Sequence, residues 1–166
     1  MTPEQRLAAR AKHMAAVEEV EKTGTPLALF RRLSEWYGVR LADVAGAGRV
    51  KTMSPVPGGP EHVAGVTLHL GQLLPLVDLP VLWKLPLHGV FDLSSFVVLS
   101  HRKVEVGVLV EQLLGLIEVP GAISPWEGAP MAGVTAVTRY EGRVVTIVSA
   151  EALLESSPFT EGRKGG

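Results

Sequence analysis

The sequence predicts an all-β protein assembled from two similar small modules. Short apolar runs recur along most of the chain, each closed by Gly, Pro or a charged turn. A helical pattern is confined to the first part of the chain and a few brief segments. One stretch, Val63 to Leu82 (VAGVTLHLGQLLPLVDLPVL), recurs near the C-terminus as Met131 to Leu154 (MAGVTAVTRYEGRVVTIVSAEALL). Gly65-Val66 and Gly71 of the first copy answer to Gly133-Val134 and Gly142 of the second. Barrels and a sandwich both satisfy such a pattern.

Element by element, Thr2-Pro3-Glu4-Gln5 reads as a helix start, with Thr2 as cap and Gln5 closing a capping box. The helix is expected to run to Lys22 and end at Gly24. Its weak stripe of Leu7, Ala11, Met14 and Val17 is expected to pack on the body, a partner being the alternative. Leu27–Arg32 and Glu35–Val44 read as strands turning at Leu33-Ser34. Ala45-Gly46-Ala47-Gly48 reads as loose chain, Val50–Met53 as a short strand, and Pro55–Pro60 as a rigid connection. A strand around Val66, a turn at Gly71 and a strand Leu73–Val77 follow, then a short helix from Leu79 to Leu85 broken by Pro86. Phe96–Ser100 and Val104–Glu111 form a hairpin across His101-Arg102-Lys103. Leu113–Val119 is a further strand, and Pro120–Met131 a loop carrying Trp126. Val134–Tyr140 and Arg143–Val148 form the last hairpin across Glu141-Gly142, and Ser149 caps a helix Ala150–Glu155. The organisation expected is a helical extension over 1–24, a β body over 25–155 and a disordered tail over 156–166.

Composition narrows the function classes. The 166 residues are 46% hydrophobic and 20% charged with a net charge of −1, so nothing draws nucleic acid or anionic lipid in general. With no cysteine, a disulfide scaffold, a thiolate zinc site and a cysteine nucleophile are excluded. No apolar run reaches the roughly 18 residues a membrane helix needs, and no signal peptide stands out. The expectation is an intracellular soluble protein without direct membrane insertion.

The residues that could carry chemistry do not assemble into a site. Asp78 closes an apolar run without an assignable titratable partner, and is expected to cap the segment after it. His13, His62, His69, His88 and His101 lack metal-binding spacing. Ser100 and His101 are strand neighbours pointing to opposite faces, unlike a nucleophile and its base. Ala45–Gly48 and Val56–Gly59 lack the Lys-Ser/Thr of a phosphate loop and read as turns. Aromatic residues are 5%, and the basic pairs Arg31-Arg32, Arg102-Lys103 and Arg163-Lys164 are scattered. A base-stacking β-barrel is the alternative from a different class.

From Pro26 to Leu154 the chain resembles the CheW-like family of chemotaxis coupling proteins. The resemblance rests on LALFRRLSEWYGVRLADV with its Tyr37-Gly38 pair, PVPGGPEHVAGV, GQLLPLVDL, VEVGVLVEQLLGLIEV and the closing GVTAVTRYEGRVVTIVSAEALL, in that order. It implies two five-stranded SH3-like β-barrels sharing an apolar core, and no enzymatic activity, cofactor or metal. It implies binding to the regulatory domain of a CheA-type histidine kinase and to the cytoplasmic tip of a chemoreceptor, within arrays on the inner face of the membrane. Partner contacts are implied at Val44, Gly65, Leu70, Gly71, Gly107, Val110, Glu111 and Leu116. The chain departs from the pattern where the family has Asn-Leu-Arg-Gly: Leu68-His69-Leu70-Gly71 stands there, so an arginine has become Leu70. Gly46 stands for a Glu, Glu111 for an Asp and Ser149 for another Asp. The departures imply altered partner choice or the loss of one of the two partners, with an adaptor of another chemosensory pathway, such as pilus-driven motility, as the alternative. A fragment similar to the kinase's own C-terminal domain is a third reading.

Overall fold

The structure is a computed structural model that describes residues 2–5, 24–89, 91–156 and 159. The expected helix beyond Gln5 and most of the tail lie outside the described residues. The capping box itself is formed: Thr2 N–H donates to Gln5 Oε1 at 2.9 Å, and Gln5 N–H to Thr2 Oγ1 at 3.1 Å.

Eleven strands make two sheets. In chain order they are β1 (Thr25–Arg32), β2 (Glu35–Arg40), β3 (Val44–Arg49), β4 (Val63–His69), β5 (Gln72–Val77), β6 (Ser95–His101), β7 (Val104–Val110), β8 (Gln112–Val119), β9 (Ser124–Pro125), β10 (Val134–Tyr140) and β11 (Arg143–Val148). Two short helices, α1 (Leu79–Leu82) and α2 (Ala150–Leu154), follow β5 and β11. The first sheet runs β8-β1-β2-β11-β10-β9 and the second β3-β6-β7-β5-β4.

In each sheet the chain that leaves one edge strand returns to the opposite edge. Chain leaving edge strand β8 wraps round as β9 and pairs with β10 at the opposite edge. Chain leaving β3 likewise reaches β4, where Ser54 and Val66 exchange backbone hydrogen bonds of 2.9 and 2.8 Å.

Each sheet has its own interior. Leu27, Leu29, Val119, Ala136, Val145 and Ile147 fill the first, and Leu74, Leu76, Phe96, Val98 and Leu109 the second. A third cluster joins them: Phe30, Tyr37 and Val39 from the first sheet meet Val77, Val97, Leu99, Val106, Val108 and Val110 from the second, with Leu153 and Leu154 of α2. Gly107 gives room to the interior of the second sheet, because a Cβ there would lie 2.6 Å from Leu76 Cδ2. The shared core expected from the resemblance is therefore present.

The internal repeat is structural. β4 and β10 have the same alternation of buried and exposed positions, as do β5 and β11. Thr67 Oγ1 donates to Thr52 O at 2.7 Å, and Thr138 Oγ1 to Ala122 O at 2.9 Å. Leu70 and Glu141 both take φ 50°, followed by Gly71 at 79° and Gly142 at 74°. This superposition pairs Gly65 with Ala136, so aligning Gly65 with Gly133 slips the start of the repeat by three residues.

Other expectations are corrected. Glu35–Val44 is not one strand: it ends at Arg40, and a 3₁₀ turn over Leu41–Asp43 carries the chain into the second sheet. Ala45–Gly48 is not loose but the middle of β3, where small residues give room, Gly48 lying against the Phe96 ring. No strand forms at Val50–Met53, and α1 stops at Leu82 rather than Leu85. Gly58 (φ 74°) does turn the chain, as its Pro/Gly setting implies.

Candidate partner-binding surfaces

The expected contact residues fall into two groups. Val110 is fully buried, Gly107 lies under Leu76 and Leu74, and Gly65 lies under Met53 and Ser54, where a Cβ would be 2.5 Å from Met53 Cγ and 2.7 Å from Ser54 O. Val44 is half-buried at the start of β3. These residues offer a partner little side chain as they stand. Leu70 and Leu116, by contrast, are 89% and 68% exposed, and Gly71 forms the turn that presents Leu70.

Leu70 has company that the sequence reading did not assign. Leu68 and Leu73 are direct cross-strand partners on the same hairpin, 66% and 76% exposed. Cross-strand neighbours on one face lie within contact distance of each other, so the three leucines form one apolar ribbon. Beside it lies a cleft of about 420 Å³ lined by Ala45, His69, Gln72, Leu74, Lys103 and Glu105 as well as Leu70 and Leu73. The signal was available: in a strand that alternates, Leu68 and Leu73 fall on the face opposite Thr67 and Leu74.

The structural twin supplies an internal control. Arg139, Glu141 and Val144 occupy the positions of Leu68, Leu70 and Leu73 in the β10–β11 hairpin, and Arg139 and Val144 are again cross-strand partners. The same backbone thus accepts a cation, an anion and a smaller apolar residue. The fold does not require leucine at these positions, and solvent exposure of three leucines is unfavourable unless something covers them.

Glu111 has a different setting. It is the one residue between β7 of the second sheet and β8 of the first. Its Oε1 accepts from Leu33 N–H at 2.6 Å and from Arg32 Nη1 at 3.2 Å, and its Oε2 is 3.6 Å from Arg31 Nε. Arg32, 2% exposed, also grips Asp78 in a bidentate pair, Nε to Oδ1 at 3.0 Å and Nη2 to Oδ2 at 2.9 Å. The Phe91 ring lies 4.7 Å from the guanidinium carbon. Burial opposes the charge on Arg32, but hydrogen bonds and charges from Asp78 and Glu111 outweigh it and hold the guanidinium pKa above its ordinary value.

Asp78 therefore does not cap α1 with its side chain; the carboxylate is turned to Arg32 instead. It does have titratable partners, which sequence distance hid. At the equivalent place Ser149 does cap, its Oγ accepting from Ala152 N–H at 3.2 Å. Among the described residues, His101, Glu151 and Glu155 could bring three ligand atoms within 4.8 Å of one another. His101 and Arg102 already pair with Glu155 at 3.1 and 3.7 Å, an exposed ion-pair arrangement needing no metal. His101 Nε2 lies 3.1 Å from Glu155 Oε1, and no hydrogen bond between Ser100 and His101 side chains is present among the described residues.

Two sheets on a shared core, with apolar ribbons on the outside, define a paired-barrel protein whose distinctive features are on its surface. The comparisons with known proteins agree. The model of the CheW-like domain matches residues 26–157. The chain is 25% identical over 141 residues to the chemotaxis protein CheW of Bacillus subtilis (strain 168), across 81% of this chain and 89% of that one. The fold is similar to the crystal structure of the scaffolding protein TtCheW from Thermoanaerobacter tengcongensis, with a TM-score of 0.71 and 19% identity over 81% of this chain and 95% of the other. The chain belongs to the CheW-like domain family. Among the described residues no helix is long and apolar enough to cross a membrane.

Proposed function

We infer that this chain is a non-enzymatic adaptor that couples chemoreceptors to a CheA-type histidine kinase. Its work would be thermodynamic: it joins two partners and, by binding one array state better than another, biases the kinase. The observation that carries the reading is the ribbon of Leu68, Leu70 and Leu73, exposed on a hairpin whose twin carries Arg139, Glu141 and Val144. Such a ribbon suits an apolar stripe on a partner. The departure from the family's arginine at Leu70 makes that contact apolar rather than ionic. Leu116 on β8 places a second exposed apolar residue on the other sheet, giving the adaptor a surface on each barrel.

The test is calorimetric titration of the chain with a kinase regulatory domain and, separately, with a receptor-tip helical hairpin. Saturable binding to both is the expected result. Binding to neither would remove the reading. Binding only to the components of a pilus-motility pathway would favour the other chemosensory role, which the altered hairpin keeps in play.

A further inference from the structure

We propose that the buried Arg32–Asp78–Glu111 cluster is a latch that sets the angle between the two barrels, making Arg32 a positioning residue for the surfaces they carry. Its effect on partner binding rests on the adaptor reading above; the latch itself does not.

The placement of the three groups carries the inference. Arg32 ends β1 in the first sheet, Asp78 follows β5 in the second, and Glu111 is the point at which the chain passes from second to first. The guanidinium therefore ties both sheets and the crossing between them. Glu111 is held by its backbone as well, its N–H donating to Arg31 O at 3.0 Å. The other crossing, Leu41–Asp43, is also tied by a carboxylate: Asp43 Oδ2 accepts from Ala150 N–H of α2 at 3.0 Å. An acidic side chain thus fixes the chain at each place where it changes sheet.

The shared apolar core cannot do this alone. Valine and leucine contacts are non-directional, so they hold the barrels together without selecting one rotation. A bidentate guanidinium–carboxylate pair is satisfied in one orientation only. Replacing a buried ion cluster by apolar residues often leaves stability unharmed, so a role in specifying geometry is a better account of its presence than stability. Phe91 closes the cluster from outside.

The chain has no cysteine, so two can be introduced cleanly for spin labels: Glu105→Cys on β7 and Thr135→Cys on β10, both exposed. Pulsed electron resonance then reads the distance distribution between the barrels. A narrow distribution is expected in the parent. In the triple variant Arg32→Met/Asp78→Leu/Glu111→Leu, which removes the whole buried cluster and leaves only the 43% exposed Arg31 without its carboxylate, the distribution is expected to broaden or shift while unfolding stays cooperative. Arg32→Lys should fall between, since an ammonium keeps the charge but not the fork. An unchanged distribution in a folded triple variant overturns the latch, as does a broad one in the parent. Should the triple variant not fold, Arg32→Lys, which removes the bidentate fork to Asp78, is read in its place with the same two outcomes. A parent with a narrow distribution but no affinity for the kinase domain would defeat the adaptor reading and leave the latch standing.

Discussion

Copying the twin's outward residues into the first hairpin separates fold from contact. The variant is Leu68→Arg/Leu70→Glu/Leu73→Val. The β10–β11 hairpin already carries these side chains at the same positive φ, in the same register and with the same burial pattern, so the backbone is known to accept them. Surface substitutions of this kind change stability by about 0.5 kcal/mol or less each. For binding the account is different. The three leucines are 66%, 89% and 76% exposed, so nearly all their apolar surface is available to a partner. Burying one leucine side chain contributes roughly 1.5–3 kcal/mol, and only part of that survives as affinity after ordering costs. A loss of about 2–4 kcal/mol, or roughly 30- to 1,000-fold in Kd, is expected for at least one of the two partners. Titration calorimetry gives the Kd and thermal denaturation gives the stability. An unchanged melting point together with unchanged affinity for both partners would refute the assignment of this ribbon as a docking surface. Loss of folding would instead refute the equivalence of the two hairpins.

Three further outcomes are expected. Gly65→Asp should lower the melting temperature sharply, because its Cβ has Met53 Cγ at 2.5 Å and the Ser54 carbonyl at 2.7 Å in its way, and overpacking alone costs about 1–3 kcal/mol before the buried charge is counted; urea titration would contradict this if the midpoint stayed put. Arg32→Met should cost about 3–5 kcal/mol in the same assay, since it leaves the buried Asp78 carboxylate without its cation and Glu111 with Arg31 alone; a loss below about 1 kcal/mol would mean that Asp78 is solvated despite its burial. Burial pushes the Tyr37 hydroxyl up to about 12 from its ordinary 10, so between those values the folded chain retains a proton that the unfolded chain has released. Its contribution is complete below pH 10 and is lost as pH rises to about 12, so Tyr37→Phe should flatten the alkaline decline in stability; equal slopes in both proteins would show that Tyr37 titrates normally.

The strands and hairpins were legible because alternation and turn residues are local. Leu33-Ser34, Arg102-Lys103 and Glu141-Gly142 turn where the sequence places them, and Ser149 caps α2. β3 was not legible: two glycines and two alanines carry no strand preference, and the segment is a strand because β6 lies beside it. The charge cluster was hidden for a related reason. Arg32, Asp78 and Glu111 lie far apart in the chain, and Arg32 reads as half of an ordinary basic pair with Arg31. Only the closing of β1 against β8, which brings Gln112 opposite Arg31, puts Glu111 beside them. Of the residues at which the resemblance implies contact, Leu70 and Leu116 are exposed, Val110 is buried, and the part-buried Glu111 is held by Arg32 and the Leu33 N–H. A motif fixes where a residue stands on a strand, but exposure depends on which neighbours the fold brings over it.

Comparison of the two copies shows where function can reside. Thr67 and Thr138, Gly71 and Gly142, Leu74 and Val145, Leu76 and Ile147, and Val77 and Val148 keep the same chemistry at buried or turn positions. These pairs satisfy a requirement common to both barrels: an interior of fixed size and a turn at positive φ. The copies part company at Leu68 and Arg139, Leu70 and Glu141, and Asp78 and Ser149. None of these differences is demanded by the local backbone, which is the same in both. Asp78 differs because it meets Arg32, a partner that Ser149 lacks, and that difference is explained inside the molecule. The leucines are 66%, 89% and 76% exposed, so no comparable account is found for them among the described residues. Among the described residues, what distinguishes one barrel from its twin, after packing and the ion cluster are accounted for, is an apolar ribbon facing outward, which is the surface proposed above for a partner of matching apolar character.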